Sequence, residues 1–424
     1  MKAELKNQPG VPVFGQRKGD VMGPRCSSYP QNETSAINRA HRTRLVVLLL
    51  LLLCAPFARA SDAQTDAASK TVSGRVEIAG SKIYYEECGS GPSAVVLLHD
   101  GLLHSVTWDG MWKPLCGKYH TVRYDRRGYG RSEAPKSSFA PTEDLYALLT
   151  HLKIERAVVV GNSSGGALAI DFALAHPEMV GGLFLIGPVV DGMEVSPAFI
   201  ERGEKNMAPL KDGDTKGAAE NWSKDRFLIG EGHEAARKRV YDVLSENPQN
   251  LKYTGEFEIH NSRPSDSRLG EIHVPTSIVV GEFDISDVHA HAGAIEAGIP
   301  GAERDIIINA GHLVQLEQPA VLMEKLVPFV DLQERKTVSV PPDVLHGYVG
   351  LYNAGRWVVT IGIADGHLTM QIPGQAVFPL FAESQAKFFL KVADVEIEFA
   401  KDAKGKVSRA VIYQDGETIK APRM

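Results

Sequence analysis

The run Val158-Val159-Val160-Gly161-Asn162-Ser163-Ser164-Gly165-Gly166 constrains this chain more than any other segment. Three β-branched residues lead into G-x-S-x-G and then into the helical spacing of residues 165–176, a pattern that calls for a buried strand, a sharp turn and a helix. Glycine is needed at 161 and 165 because side chains there would collide in so tight a turn. Ser163, at the tip, is exposed beside a helix N-terminus whose dipole favours developing negative charge. A serine hydroxyl is a poor nucleophile at neutral pH, so it also needs a base within hydrogen-bond reach. Ser164 falls outside the G-x-S-x-G frame and is not the expected nucleophile. The bland alternative is a glycine-rich turn with no chemistry, and the order of the segments that follow argues against it.

From about residue 73 to 333, short apolar runs alternate with helical segments, the pattern of a mostly parallel sheet with helices on both faces. The runs 94–98, 157–160, 182–186, 276–280 and 304–308 are each rich in apolar residues, as expected of strands buried on both faces. Helical spacing covers 141–154 and 165–176, the second stopping before Pro177. A polar, helix-prone stretch at about 191–267, with Trp222 and many charges, interrupts the series. It is expected to form a helical cap over the C-terminal edge of the sheet, where open α/β sheets bind ligands. After a linker at 334–343 the texture changes. Residues 357–363 and 367–372 flank Asp365-Gly366, Asp415-Gly416 marks another turn, and Val395, Ile397 and Phe399 alternate with Glu396 and Glu398. Residues 344–424 are therefore expected to form a small all-β domain, a closed or nearly closed barrel.

Two late runs end in residues that could complete a proton-transfer chain. Residues 276–280 lead to Gly281-Glu282-Phe283-Asp284, and 304–308 lead to Asn309-Ala310-Gly311-His312. His312 is the candidate general base and Asp284 the acid that holds its tautomer, with Glu282 and Asp287 as local rivals. This chemistry calls for no metal and no organic cofactor. His289 and His291 are two apart and would not share a helix face, which argues against a metal site. The charges of the tract 124–132 are expected to lock a loop at a strand end.

A net charge of −6, from 46 basic and 52 acidic residues, gives no excess of positive charge and sets nucleic-acid binding aside. Arg39, Arg42 and Arg44 precede an apolar run at 45–54, followed by Ala58-Arg59-Ala60. That is a signal peptide's grammar, so residues 1–60 are expected to be a leader cleaved after Ala60. At about ten residues the run is roughly half a membrane span, so no stable span is expected after cleavage. Met1 and Met22 both stand as starts, and Cys54 follows the bulky Leu53 rather than the small residue of a lipoprotein signal. The expected location is the periplasm or outside the cell, where Cys88 and Cys116 could pair or stay as thiols.

With these motifs placed, residues 73–333 resemble the α/β-hydrolase family. The resemblance rests on His99-Asp100-Gly101-Leu102, the D-x-R-G-x-G-x-S tract from Asp125 to Ser132, the nucleophile segment, Gly281-x-x-Asp284, and Gly311-His312 followed by Glu317-Gln318-Pro319. It implies the α/β-hydrolase fold with a triad of Ser163, Asp284 and His312. It also implies an oxyanion hole from the backbone N–H groups of Gly101 and Ser164, with His99 holding the loop. Asp100 departs from the glycine usual after the histidine, and Ser163 stands where epoxide hydrolases and haloalkane dehalogenases carry aspartate. The tail, with Tyr348-Val349-Gly350-Leu351-Tyr352, resembles the lipocalin-like β-barrel that follows some secreted serine peptidases and esterases, which implies an interaction module. The expected activity is cleavage of a carboxylic ester or related acyl bond in a small molecule. The rival expectations are carbon–carbon bond hydrolysis or perhydrolysis by the same triad, or a slow-turnover ligand-binding protein on the same fold.

Overall fold

Alternate residues of the central strands divide between two apolar layers, and this fixes the architecture. In a computed structural model describing residues 70–424, apart from 92, 254, 260, 261, 365 and 415, Val96, Leu98 and Val159 pack on one side. Val95, Leu97, Val158 and Val160 pack on the other, as the period of two demands of strands buried on both faces. The expected leader, cleavage at Ala60, Cys54 and both candidate starts lie outside the described residues, as do the turn residues Asp365 and Asp415.

The first sheet comprises β1 (Val72–Ile78), β2 (Ser81–Cys88), β3 (Ala94–Leu98), β4 (His120–Tyr124), β5 (Ala157–Asn162), β6 (Val180–Ile186), β7 (Thr276–Gly281) and β8 (Glu303–Ile307). Their spatial order is β1-β2-β4-β3-β5-β6-β7-β8. The β1–β2 and β2–β4 pairs are antiparallel, and every pair from β4 through β8 is parallel. The helices Pro141–His151, Ser164–Ala175 and Ser286–Gly298 cover one face through Leu145, Leu168, Val288 and their neighbours. The helices Asp109–Cys116 and Pro319–Gln333 cover the other through Met111, Trp112, Leu322 and Leu326.

The last of the apolar runs departs from expectation. Residues 304–308 are not buried on both faces: β8 ends the sheet, and Ile306 and Ile308 are 41% and 65% exposed. An apolar run marks a strand, but only the number of neighbouring strands decides whether both its faces are covered.

The stretch after β6 forms helices at Pro197–Met207, Thr215–Lys224 and Glu234–Glu246. Trp222, Leu228, Val240 and Leu244 from this cap pack with Leu103 and Leu313 of the loops after β3 and β8. The cap thus rests on the sheet edge that carries the candidate residues. Cys88 and Cys116 form a disulfide with Cα atoms 5.2 Å apart, joining the end of β2 to the end of the Asp109–Cys116 helix.

The tail is an eight-stranded antiparallel sheet in which each strand pairs with the next: β9 (Gly350–Asn353), β10 (Val358–Ala364), β11 (His367–Gln371), β12 (Phe378–Ala382), β13 (Lys387–Phe389), β14 (Val395–Lys401), β15 (Val407–Gln414) and β16 (Glu417–Pro422). A bridge between Tyr352 and Arg423 nearly closes the barrel, which removes most of its free edge. Val395, Ile397 and Phe399 face its core, and the Tyr348 ring stacks on Phe399 at 4.3 Å.

Candidate active site

Ser163 sits in the turn between β5 and the helix Ser164–Ala175 with φ 57° and ψ −118°. A side chain at positive φ is uncommon and strained, so the surroundings must hold it. They do so by close approach of backbones. A Cβ on Gly161 would lie 2.3 Å from the Gly165 carbonyl oxygen, and one on Gly165 would lie 2.4 Å from that of Leu98. The Ser163 N–H donates to the Ile186 carbonyl at 3.0 Å, pinning the turn to β6.

His312 and Asp284 emerge from the loops after β8 and β7, and His312 Nδ1 lies 2.7 Å from Asp284 Oδ2. The other Asp284 oxygen accepts the Ile285 N–H at 2.8 Å. The rival carboxylates are engaged elsewhere. Glu282 accepts the Asn309 N–H at 2.8 Å, and Asp287 accepts the Ser196 hydroxyl at 2.9 Å. Burial alone would pull the His312 imidazole below its ordinary value, but the charge and hydrogen bond of Asp284 outweigh it and leave the ring raised.

The histidine loop is held from three sides. Asn162, directly before Ser163, donates its side-chain amide to the carbonyls of Ile186 at 2.9 Å and His312 at 3.3 Å. Glu317 accepts the N–H groups of Gly230 at 2.6 Å and Gly311 at 2.8 Å. The N–H groups of His312 and Leu313 donate to the carbonyls of Phe227 at 2.9 Å and Leu228 at 3.1 Å, which belong to the cap.

Gly101 and Ser164 are brought together, since a Cβ on Gly101 would stand 3.2 Å from Ser164 Oγ. The Asp100 side chain turns inward on its own loop, accepting the N–H groups of Leu102 at 2.7 Å and Leu103 at 2.8 Å. This is the turn that a glycine's freedom would otherwise have to supply. His99 ties that loop to the end of β4: its Nδ1 lies 2.7 Å from the Asp100 carbonyl oxygen, and its Nε2 accepts the Arg126 N–H at 2.9 Å.

Ser163, His312, Asp100, Gly101 and the cap residues Arg202 and Trp222 line a cavity of about 170 Å³, whose walls are otherwise apolar: Leu102, Val189, Phe199, Leu228 and Val288. Gly101, Ser164 and Val189 also line a second cavity of about 360 Å³, together with Arg126, Tyr253 and Glu258. Arg202 makes a two-point pair with Asp225, Nε to Oδ2 at 2.8 Å and Nη2 to Oδ1 at 3.0 Å. Asn206 donates to the same carboxylate at 2.7 Å, and the N–H groups of Phe227 and Leu228 both donate to it at 2.9 Å. Asp225 therefore ties a cavity wall to the segment that holds His312.

Within the charged tract, Asp125 takes the Ser105 N–H at 3.1 Å and the Arg131 N–H at 2.8 Å, and Arg127 pairs with Asp144. Arg126 differs, and sequence reasoning passed over it: it donates to Ser164 Oγ at 3.0 Å. Asn162, Arg202 and Asp225 were missed too, because their partners are distant in sequence. His291 accepts the Val190 N–H at 3.1 Å. Among the described residues, no group of three or more His, Cys, Asp or Glu is placed to hold a metal ion, and no helix is long and apolar enough to cross a membrane.

A family model described as the alpha/beta hydrolase family matches residues 95–325, and one for a domain of unknown function matches 334–421. The chain is 30% identical over 255 residues to a 2-hydroxy-6-oxononadienedioate/2-hydroxy-6-oxononatrienedioate hydrolase of Klebsiella pneumoniae, covering 56% of this chain and 86% of the relative. Among solved structures it is similar to Est816, described as an N-acyl homoserine lactone degrading enzyme, with 28% identity, a TM-score of 0.50 and coverage of 61% and 100%. An esterase of Thermogutta terrifontis shares the fold at 23% identity, TM-score 0.53, with coverage of 62% and 99%.

Proposed function

The chain belongs to the alpha/beta hydrolase family, and from that premise we propose that it cleaves a carboxylic ester or related acyl bond of a small molecule through an acyl-enzyme on Ser163. The observation that carries this reading is the 2.7 Å pair of His312 and Asp284 beside a cavity that Ser163 also lines. His312 takes the serine proton as Ser163 Oγ attacks the carbonyl carbon, while Asp284 keeps Nδ1 protonated and stabilises the imidazolium. The carbonyl oxygen gains the negative charge and faces the N–H groups of Gly101 and Ser164. The tetrahedral intermediate collapses, His312 protonates the departing oxygen, and a water activated by the same imidazole releases the acid. No metal and no organic cofactor takes part in these steps.

The apolar walls of the 170 Å³ cavity favour a compact acyl or alcohol portion over a large polar one. A second reading keeps the same triad on a carbon–carbon bond. It is favoured by the Klebsiella relative, whose name is that of a dienedioate hydrolase. Export is part of the proposal, supported by the apolar run at 45–54 and by the Cys88–Cys116 disulfide. The barrel is read as an interaction module on the strength of its separate apolar core.

A fluorophosphonate probe tests the core of the reading. Labelling of the full chain that is lost in Ser163→Ala supports it. A folded protein that takes no label, yet binds small esters, would favour the slow-turnover ligand-binding alternative. Rates on nitrophenyl esters, lactones and dienoates then choose between the two hydrolytic chemistries.

A further inference from the structure

We propose that Arg126 is a positioning residue that braces both halves of the oxyanion hole with one partly buried cation, an inference that rests on the reading of Ser163 as nucleophile. Its Nη2 donates to Ser164 Oγ at 3.0 Å and lies 3.4 Å from the Asp100 carbonyl oxygen. Ser164 follows the nucleophile, and Asp100 precedes Gly101, so one guanidinium touches each of the two segments whose N–H groups face the oxyanion. Its backbone N–H, at 2.9 Å from His99 Nε2, anchors the first segment again, and the Tyr129 hydroxyl beneath it donates to the Gly101 carbonyl at 3.1 Å.

The neighbouring arginines show what Arg126 does not do. Arg123 pairs with Glu86 and Asp109, Arg127 with Asp144, and Arg131 with Glu86 and Asp125. Arg126 spends its hydrogen bonds on a hydroxyl and a carbonyl instead, and its buried Nε has no hydrogen-bond partner. Holding a partly buried cation with no carboxylate in ion-pair contact carries a desolvation cost that an apolar side chain would avoid. A fixed positive charge beside the point where an oxyanion develops returns that cost in the transition state only. The other explanation, an anchor for an anionic substrate, fits poorly, because the cavity that Arg126 lines also carries Asp171, Asp191 and Glu258.

The test uses the full chain and the variants Arg126→Met, Arg126→Lys and Ser164→Ala. Hydrolysis of a nitrophenyl ester is measured together with inhibition by a boronic acid, whose tetrahedral adduct on Ser163 mimics the intermediate. The proposal expects Arg126→Met to lower kcat at least roughly tenfold with KM within about threefold, and to weaken the boronic acid by the same factor as kcat/KM. Arg126→Lys should recover part of both, and Ser164→Ala, which keeps the N–H, should move both in the same direction by less. Unchanged kcat and boronic-acid affinity in Arg126→Met would overturn the proposal, as would a rise in KM alone. If Arg126→Met does not fold, the Lys and Ala variants decide by the same two readouts. A folded wild type that takes no fluorophosphonate overturns the underlying reading and this inference with it, whereas a labelled wild type with an indifferent Arg126 overturns this inference alone.

Discussion

His312 Nδ1 and Asp284 Oδ2 meet at 2.7 Å although 28 positions apart in the chain, at the mouths of neighbouring strands β8 and β7. The carboxylate leaves the imidazole raised against the opposing pull of burial. A base with a raised value loses its proton only at higher pH, so the acid limb of kcat/KM should lie above the ordinary histidine value of about 6.5. In Asp284→Asn the charge is gone, the limb should move to lower pH, and kcat should fall by up to about 10⁴-fold. A pH–rate profile of both proteins checks the direction. A limb that stays in place in the variant would remove Asp284 from the role assigned to it.

Gly187 adopts φ 48°, and a Cβ there would stand 3.0 Å from both Asp284 Oδ2 and His312 Nδ1. Gly187→Ala should therefore push the pair apart while leaving Ser163 and the cap alone. We expect kcat to fall by roughly 10²-fold, the scale of a 1 Å misplacement, with the fold kept. Steady-state kinetics alongside a thermal melt would show it.

Asp225 is almost wholly buried and gathers Arg202, Asn206 and two backbone N–H groups. Burial would raise its carboxyl, but hydrogen bonds and the charge of Arg202 dominate and hold it below the ordinary range. Its stabilisation is therefore complete above the unfolded-state value and is lost as pH falls through the lowered one. Asp225→Ala leaves a largely buried guanidinium unpaired and should cost about 3–5 kcal/mol. Urea melts at neutral and acid pH should show a large difference near pH 7 that narrows in acid.

The disulfide closes a loop with a sequence separation of 28 residues. By chain entropy a loop of that size contributes roughly 3–4 kcal/mol, so the Cys88→Ala, Cys116→Ala double variant should unfold at lower urea by that amount. Because the bridge lies away from the cavity residues, kcat of the folded fraction should change little. A strong loss of kcat without loss of stability would contradict this.

Much of the site was legible because it depends on local constraints. The Gly161 and Gly165 contacts explain why G-x-S-x-G follows a strand, and Asp284 and His312 were candidates because they stand just past two apolar runs, in segments that resemble the family's. What escaped depends on contacts between distant segments. Arg126 reaches a serine 38 residues away, and nothing local separates it from Arg127, which pairs with Asp144. Whether Cys88 and Cys116 pair is a matter of distance that no spacing reveals. The exposure of β8 was misjudged because Ile306 and Ile308 look like core residues until the sheet is known to end there.

The hydrogen bonds from His312 and Leu313 to Phe227 and Leu228 also limit how such an enzyme can be re-engineered. A designer who grafts a foreign lid to widen substrate scope would disturb the backbone on which the imidazole hangs, so selectivity and turnover would drift in tandem. Variation confined to Phe199 and Trp222, whose side chains line the cavity, is the route that would retune preference while sparing the proton relay.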